Sequence, residues 1–161
     1  MASTVNSAQV SGGVTASLTG GAAPAITAST PSQSLLNNFT IGTAAGNVNL
    51  VYSSALTVTT GTPLVLDLTA LLDPLGGTVN FVHVCAVMIT NGSVTAGQDF
   101  TVGGGTTPVF AALPLLQANG GNLQLINANP GWATSGANNL KFTVAAGTAV
   151  PFTLTILGRT T

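Results

Sequence analysis

The chain has 161 residues, and only 3% of them are charged, compared with about 25% in an ordinary soluble domain. Two basic residues are too few to neutralise a phosphate backbone, and the longest apolar runs, 81–89 and 149–157, are shorter than the about 20 residues of a spanning helix. Composition therefore argues against nucleic acid and membrane as partners. A net charge of −1 gives copies little mutual repulsion and favours association with other protein.

Residues 1–33 form a low-complexity segment that we interpret as an extended N-terminal arm. It consists mainly of Ala, Ser, Thr and Gly, has isolated Val, Leu and Ile residues, and lacks the basic start and continuous apolar run of a signal peptide. Such a segment gains too little from burial to offset its own ordering entropy. Two alternatives follow: a disordered tail, or an arm that becomes ordered only against neighbouring subunits.

From residue 34 onward the pattern predicts strands. Segments 49–60 and 63–72 are rich in Val, Leu and Thr, as pleated surfaces favour. Apolar residues hold almost every position of 64–68, so we expect both faces of that strand to be largely buried. Asp67 must then be hydrogen-bonded or lie at an edge.

The most hydrophobic stretch, 79–90, follows a turn at 73–77. The turn combines Asp73, a proline and two glycines, and the Asp side chain can bond its own backbone there. Apolar residues dominate both the odd and the even positions of 79–90. This pattern predicts a central strand within a two-layer structure.

Shorter strands are predicted along the rest of the chain, at 99–102, 108–116, 123–126, 139–145 and 150–157. No segment has a helical period, and Gly, Pro and Asn mark the turns. We therefore predict an all-β fold: one β-sandwich domain over 34–161, jelly-roll-like, with about eight strands. Its predicted core comprises Phe81, Val84, Val87, Ile89, Leu125, Trp132, Phe142, Leu154 and Ile156.

The side chains able to do acid–base chemistry or to bind a metal are few: His83, Asp67, Asp73 and Asp99. His83 lies within the most apolar strand, where we expect a core histidine with satisfied hydrogen bonds. The presence of Asp73 is explained by hydrogen bonds to the backbone of its own turn. We expect Asp99 to cap a loop before a strand. Cys85 is the single cysteine, so we expect a buried thiol. The sequence predicts no catalytic, cofactor-binding or metal-binding residue, no cofactor and no enzymatic activity.

Two further features have a functional and a structural interpretation. The glycine-rich stretch 103–107 superficially resembles a phosphate loop, but no lysine follows within reach in the sequence, so we expect a flexible hairpin loop. Trp132 follows Pro130-Gly131 and is either a stacking platform for a sugar or a plug at the end of a sandwich.

A resemblance rests on the order of elements between residues 64 and 158. The order runs through 66–69, the turn at 73–79, the strand 81–89 ending at Asn91, then 100–104, 123–126, 129–132 and 152–158. This order is similar to that of small β-sandwich virion proteins of tailed bacteriophages, the class of capsid decoration or cement proteins.

The resemblance implies a structural protein of the capsid surface. Such a protein decorates and stabilises the capsid by bridging neighbouring capsid subunits. Its partners would be further copies of itself, with a homotrimer preferred, and the major capsid protein. The alternatives are a carbohydrate-binding β-sandwich module and a self-assembling filament or surface-layer subunit.

Overall fold

The computed structural model describes residues 8–15, 32–72, 76–111, 113–144 and 149–161. Over these ranges the fold is all-β, with no helix and 53% strand arranged in several sheets, consistent with the predicted β-sandwich. Within the described ranges there is no helix of the length and apolarity needed to cross a membrane. The jelly-roll connectivity and the number of eight strands stay predictions, and Asp73 lies outside the described residues.

The strands of the described ranges are β1 (Ala8–Thr15), β2 (Ser32–Ile41), β3 (Asn47–Val48), β4 (Leu50–Val58), β5 (Leu64–Asp67), β6 (Leu71–Leu72), β7 (Thr78–Val79), β8 (His83–Asn91), β9 (Phe100–Val102), β10 (Asn122–Ile126), β11 (Trp132–Ala133), β12 (Asn139–Val144) and β13 (Val150–Arg159). Most connections between them are short and contain Gly, Asn or Pro, whose backbone preferences suit tight turns.

The large sheet has the strand order β10-β8-β13-β4, and β11 also pairs with β8. β8 is a central strand, as its apolar residues on both faces predict, since β10 and β11 flank it on one side and β13 on the other. Val87 and Ile89 of β8 join the main core, whereas Cys85 and Ala86 join a second, smaller apolar cluster.

The small sheet has the order β5-β12-β9, and its aromatic side chains pack against the large sheet. Phe142 of β12 lies 4.5 Å from Phe152 of β13, measured between ring centroids, and Phe100 of β9 lies 5.0 Å from the same ring. Tilted aromatic contacts of this kind add stabilisation beyond the apolar area they bury. These three rings join the two layers.

The predicted core is confirmed at seven of its nine positions, which are buried: Phe81, Val84, Val87, Ile89, Phe142, Leu154 and Ile156. Leu125 and Trp132 are only partly buried and pack against the core from its margin. Leu125 belongs to β10 and Trp132 to β11, which lie at the outer side of β8.

The prediction that both faces of 64–68 are largely buried is wrong for β5. Val65 is 49% exposed and Asp67 is exposed, whereas Leu64 and Leu66 pack against the core. β5 is an edge strand of the small sheet, so one of its faces meets the core and the other meets solvent. Strict alternation of buried apolar and exposed polar residues would have placed a polar residue at position 65. Val65 is instead an apolar residue on the solvent face.

Part of the predicted arm belongs to a third sheet, in which β1 pairs antiparallel with β2 and β2 pairs parallel with β3. β2 therefore runs across the predicted boundary at residue 34. The parallel contact is confined to two pairs, which join Thr40 to Asn47 and Ile41 to Val48. The rest of 1–33 lies outside the described residues, and ordering of the arm in an assembly stays a prediction.

Candidate functional site

The acid–base candidates of the described chain do not converge. Asp67 ends β5 and Asp99 directly precedes β9, so they lie at opposite edges of the small sheet, while His83 opens β8 in the other layer. Within the described ranges, no three His, Cys, Asp or Glu side chains are grouped so that they could hold a metal ion. Among the described carboxylates, Asp67 and Asp99 therefore do not form the close pair that acid–base catalysis uses.

Asp67 is both hydrogen-bonded and at an edge, as expected. Its Oδ1 accepts hydrogen bonds from the Thr69 hydroxyl at 2.6 Å, the Thr69 backbone N–H at 2.9 Å and Asn138 Nδ2 at 3.0 Å. The Thr69 hydroxyl is the main cause that lowers the pKa of Asp67 below its usual 3.8. The charged carboxylate of Asp67 therefore stabilises the folded protein at pH values above 3.8. This stabilisation is lost as the pH falls through the lowered pKa.

Asp99 anchors a loop, as its sequence position suggested. Its Oδ1 accepts the backbone N–H of Ala118 at 2.8 Å. The bond ties the segment before β9 to the segment before β10, and the backbone pair of Phe100 and Leu116 lies beside it. Asp99 is therefore a structural residue of this end of the sandwich.

His83, Cys85 and Arg159 lie close together where β8 meets β13, since His83 and Arg159 are ladder partners. Nδ1 of His83 is buried and has no hydrogen-bond partner within the described chain. The prediction that the hydrogen bonds of His83 are satisfied is therefore wrong for this atom. Burial raises the pKa of the Cys85 thiol, and the neighbouring Arg159 charge offsets part of the effect. Cys85 is buried as predicted and stays a protonated thiol at neutral pH.

The sequence did not predict that Arg159 is a buried residue of this region. It is only 5% exposed, and its guanidinium donates to backbone carbonyls: to Pro130 O at 2.6 Å, to Thr43 O at 3.4 Å and to Thr161 O. The carbonyls join the end of β13 to two loops, so the side chain acts as a cross-link. A charged residue at the end of a strand is usually solvated, and no sequence signal marks this one as buried.

Trp132 packs into the protein rather than standing free. Its ring meets Phe110 edge to face, with 4.9 Å between the centroids and an interplanar angle of 86°. A sugar platform presents an open aromatic face, whereas this ring is partly buried against the core. The packing matches the interpretation of Trp132 as a plug, and carbohydrate binding stays a prediction.

The glycine-rich loop has Lys141 beside it in space, although no lysine follows the loop closely in the sequence. Cδ of Lys141 is 3.5 Å from the position that a Cβ on Gly105 would occupy, and Gly103 N–H donates to Lys141 O at 2.8 Å. The lysine comes from β12, which pairs with β9 through Phe142 and Val102. The strand at 139–145 was predicted from the sequence, but its pairing with β9 was not.

A scan against protein-family models found no match to this chain, and searches of curated proteins and of solved structures found none either. The resemblance to phage decoration proteins therefore stays a hypothesis.

Proposed function

We propose that this protein is a structural virion protein that decorates and stabilises a bacteriophage capsid by bridging neighbouring capsid subunits. The observation that carries the proposal is the scarcity of surface charge. Arg159 is buried, which leaves Asp67, Asp99 and Lys141 as the charged side chains at the surface of the described part of the chain. A surface of Thr, Ser, Asn and Gly is hydrated but opposes the approach of another neutral surface only weakly.

An unprotected sheet edge supports the same proposal. Among the described strands, β4 pairs only with β13, so no described strand pairs with its other edge. The nine residues of β4 include no charge, no proline and no glycine. Monomeric proteins usually protect long edge strands with such residues, because a free edge pairs with other chains.

An apolar patch at one end of the sandwich adds a second contact surface. Val94 is 82% exposed and Leu115 is 46% exposed. Their loops lie side by side, because Asn119 N–H donates to Ser93 O at 2.7 Å. Contact with another protein would remove both side chains from water, and a shell surface provides such a partner.

Self-association is the first consequence that can be measured. We expect the full chain to sediment as a homotrimer, at three times the 15.8 kDa of one chain, because closed symmetric assembly satisfies self-complementary surfaces. Sedimentation velocity over a range of micromolar concentrations measures the mass. A single species of one-chain mass at every concentration would contradict the self-association, and a stable dimer would contradict the trimer.

The N-terminal arm gives a prediction about attachment. Deleting residues 2–30 removes β1, whose ladder partner among the described strands is β2. Both apolar clusters of the described chain begin at Phe39 or later, so the sandwich should stay folded. We expect the far-ultraviolet circular dichroism of the remaining strands to persist while binding to virions weakens. Equal binding of the truncated and the full chain in a co-sedimentation assay would show that the arm is only a tail.

A further inference from the structure

A cavity of about 300 Å³ lies on the outer face of the small sheet, away from the core. Asn139 and Lys141 of β12 form its floor, since the alternate residues Leu140 and Phe142 point into the core. Pro63 and Val65 form one wall, and residues 104–106 of the glycine-rich loop form the other. The cavity therefore combines an apolar wall with a polar one.

Hydrogen bonds hold the loop wall in place. Asn139 Nδ2 donates to the Thr107 hydroxyl at 2.9 Å, and the Asn139 backbone N–H donates to Thr107 O at the same distance. Gly104 N–H donates to Phe110 O at 3.1 Å. Both ends of 104–106 are thus tied to the body of the protein, and a ligand would find a largely formed site.

Lys141 is the charged group of this cavity, and the described carboxylates are engaged elsewhere. Asp67 Oδ1 accepts from Thr69 and Asn138, and Asp99 Oδ1 accepts from Ala118 N–H. Lys141 is half-buried as a whole residue, and no carboxylate of the described chain forms an ion pair with its ammonium. An anion placed here would interact more strongly than at a fully solvated lysine.

We propose that this cavity binds a small organic monocarboxylate. The carboxylate lies at Lys141 Nζ within reach of the Thr106 hydroxyl, and a short aliphatic body packs on Pro63 and Val65. A single ammonium balances one negative charge, and the other basic residue, Arg159, is buried in a different part of the fold, so the site lacks the second cation that a phosphate dianion favours. This binding activity is independent of the structural role proposed above.

Titration of the full chain with sodium isovalerate tests the site, followed by ¹H–¹⁵N correlation spectra. We expect saturable shifts at the Gly104, Gly105 and Thr106 amides with a Kd of about 1 mM, as suits a ligand of this size. Isovaleramide has the same shape without the charge and should bind at least about tenfold more weakly. Inorganic phosphate at equal ionic strength should also bind more weakly.

Variants separate the roles of charge and packing. Lys141→Gln should weaken isovalerate binding by about tenfold or more, Lys141→Arg should retain it within about threefold, and Thr143→Ala, on the same strand outside the cavity, should leave it unchanged. Shifts that do not saturate, equal binding of isovaleramide, or full binding by Lys141→Gln would overturn the proposal. Tighter binding of phosphate than of isovalerate would overturn the ligand class. The isovaleramide comparison uses the unmodified chain and decides the matter even if a variant fails to fold.

Discussion

Introducing lysines on β4 should dissociate the proposed oligomer. Ala55 and Thr57 are exposed on the outer face of this edge strand, so Ala55→Lys/Thr57→Lys leaves the core packing intact. In an assembly that continues the sheet through β4, the added charges would face a neighbouring strand that has none to neutralise them. Lysine on an edge strand opposes such pairing, and like charges directly opposite one another are destabilising.

We expect the dissociation constant of the oligomer to rise by about tenfold or more, since about 1.4 kcal/mol suffices for a factor of ten. Sedimentation velocity measures the change. Thr153→Lys is the matched control for the single variant Ala55→Lys, because Thr153 lies directly opposite Ala55 on β13 and is also exposed. It adds the same charge to the same face, one strand away from the edge. Equal effects of the two single variants would show that net charge, and not the β4 edge, controls assembly.

The largest loss of stability is expected from Gly158→Ala. A Cβ at this position would lie 2.3 Å from His83 O and 2.5 Å from Cδ1 of Phe81, which is fully buried. The register of β13 against β8 shifts between Leu157 and Gly158, and the closely approaching backbone leaves no room for a methyl group. Relieving the clash requires both the carbonyl and the Phe81 ring to move.

Overpacking of a rigid core costs about 1–3 kcal/mol and sometimes more, so we expect a loss of about 3 kcal/mol in the free energy of unfolding. Urea unfolding followed by circular dichroism measures it. Gly136→Ala is the control, because nothing lies within 4 Å of its added Cβ and only its positive φ of 75° opposes the change, at about 1 kcal/mol. An unfolding midpoint for Gly158→Ala equal to that of the unmodified chain would contradict the described packing of β8 and β13.

The strands that the sequence predicted well are those whose patterns are unambiguous. The two-sided apolar run at 79–90 indicated a central strand, and β8 occupies that place. The alternation at 139–145 and 150–157 placed Phe142, Leu154 and Ile156 in the core, where they are buried. These predictions succeed because burial of one or both faces of a strand determines which positions of its sequence are apolar.

The sequence-based predictions were wrong where the exposure of a residue depends on its neighbours in the tertiary structure. A run of apolar residues at 64–68 suggested two buried faces, yet the edge position of β5 exposes Val65. Lys141 is 36 positions away from Gly105 in the sequence, but the β9–β12 pairing brings the two together. The cavity beside Lys141 follows from that pairing, which periodicity alone does not specify.

The central claim is that this protein is a structural component of a virion, and its location in particles tests the claim most directly. Virions purified from the source of the gene would be analysed by quantitative mass spectrometry and by cryo-electron microscopy. We expect the chain in a fixed ratio to the major capsid protein, with β-sandwich density on the outer capsid surface between neighbouring capsid subunits. Virions that lack the chain, or that carry it only in traces without ordered density, would contradict the claim.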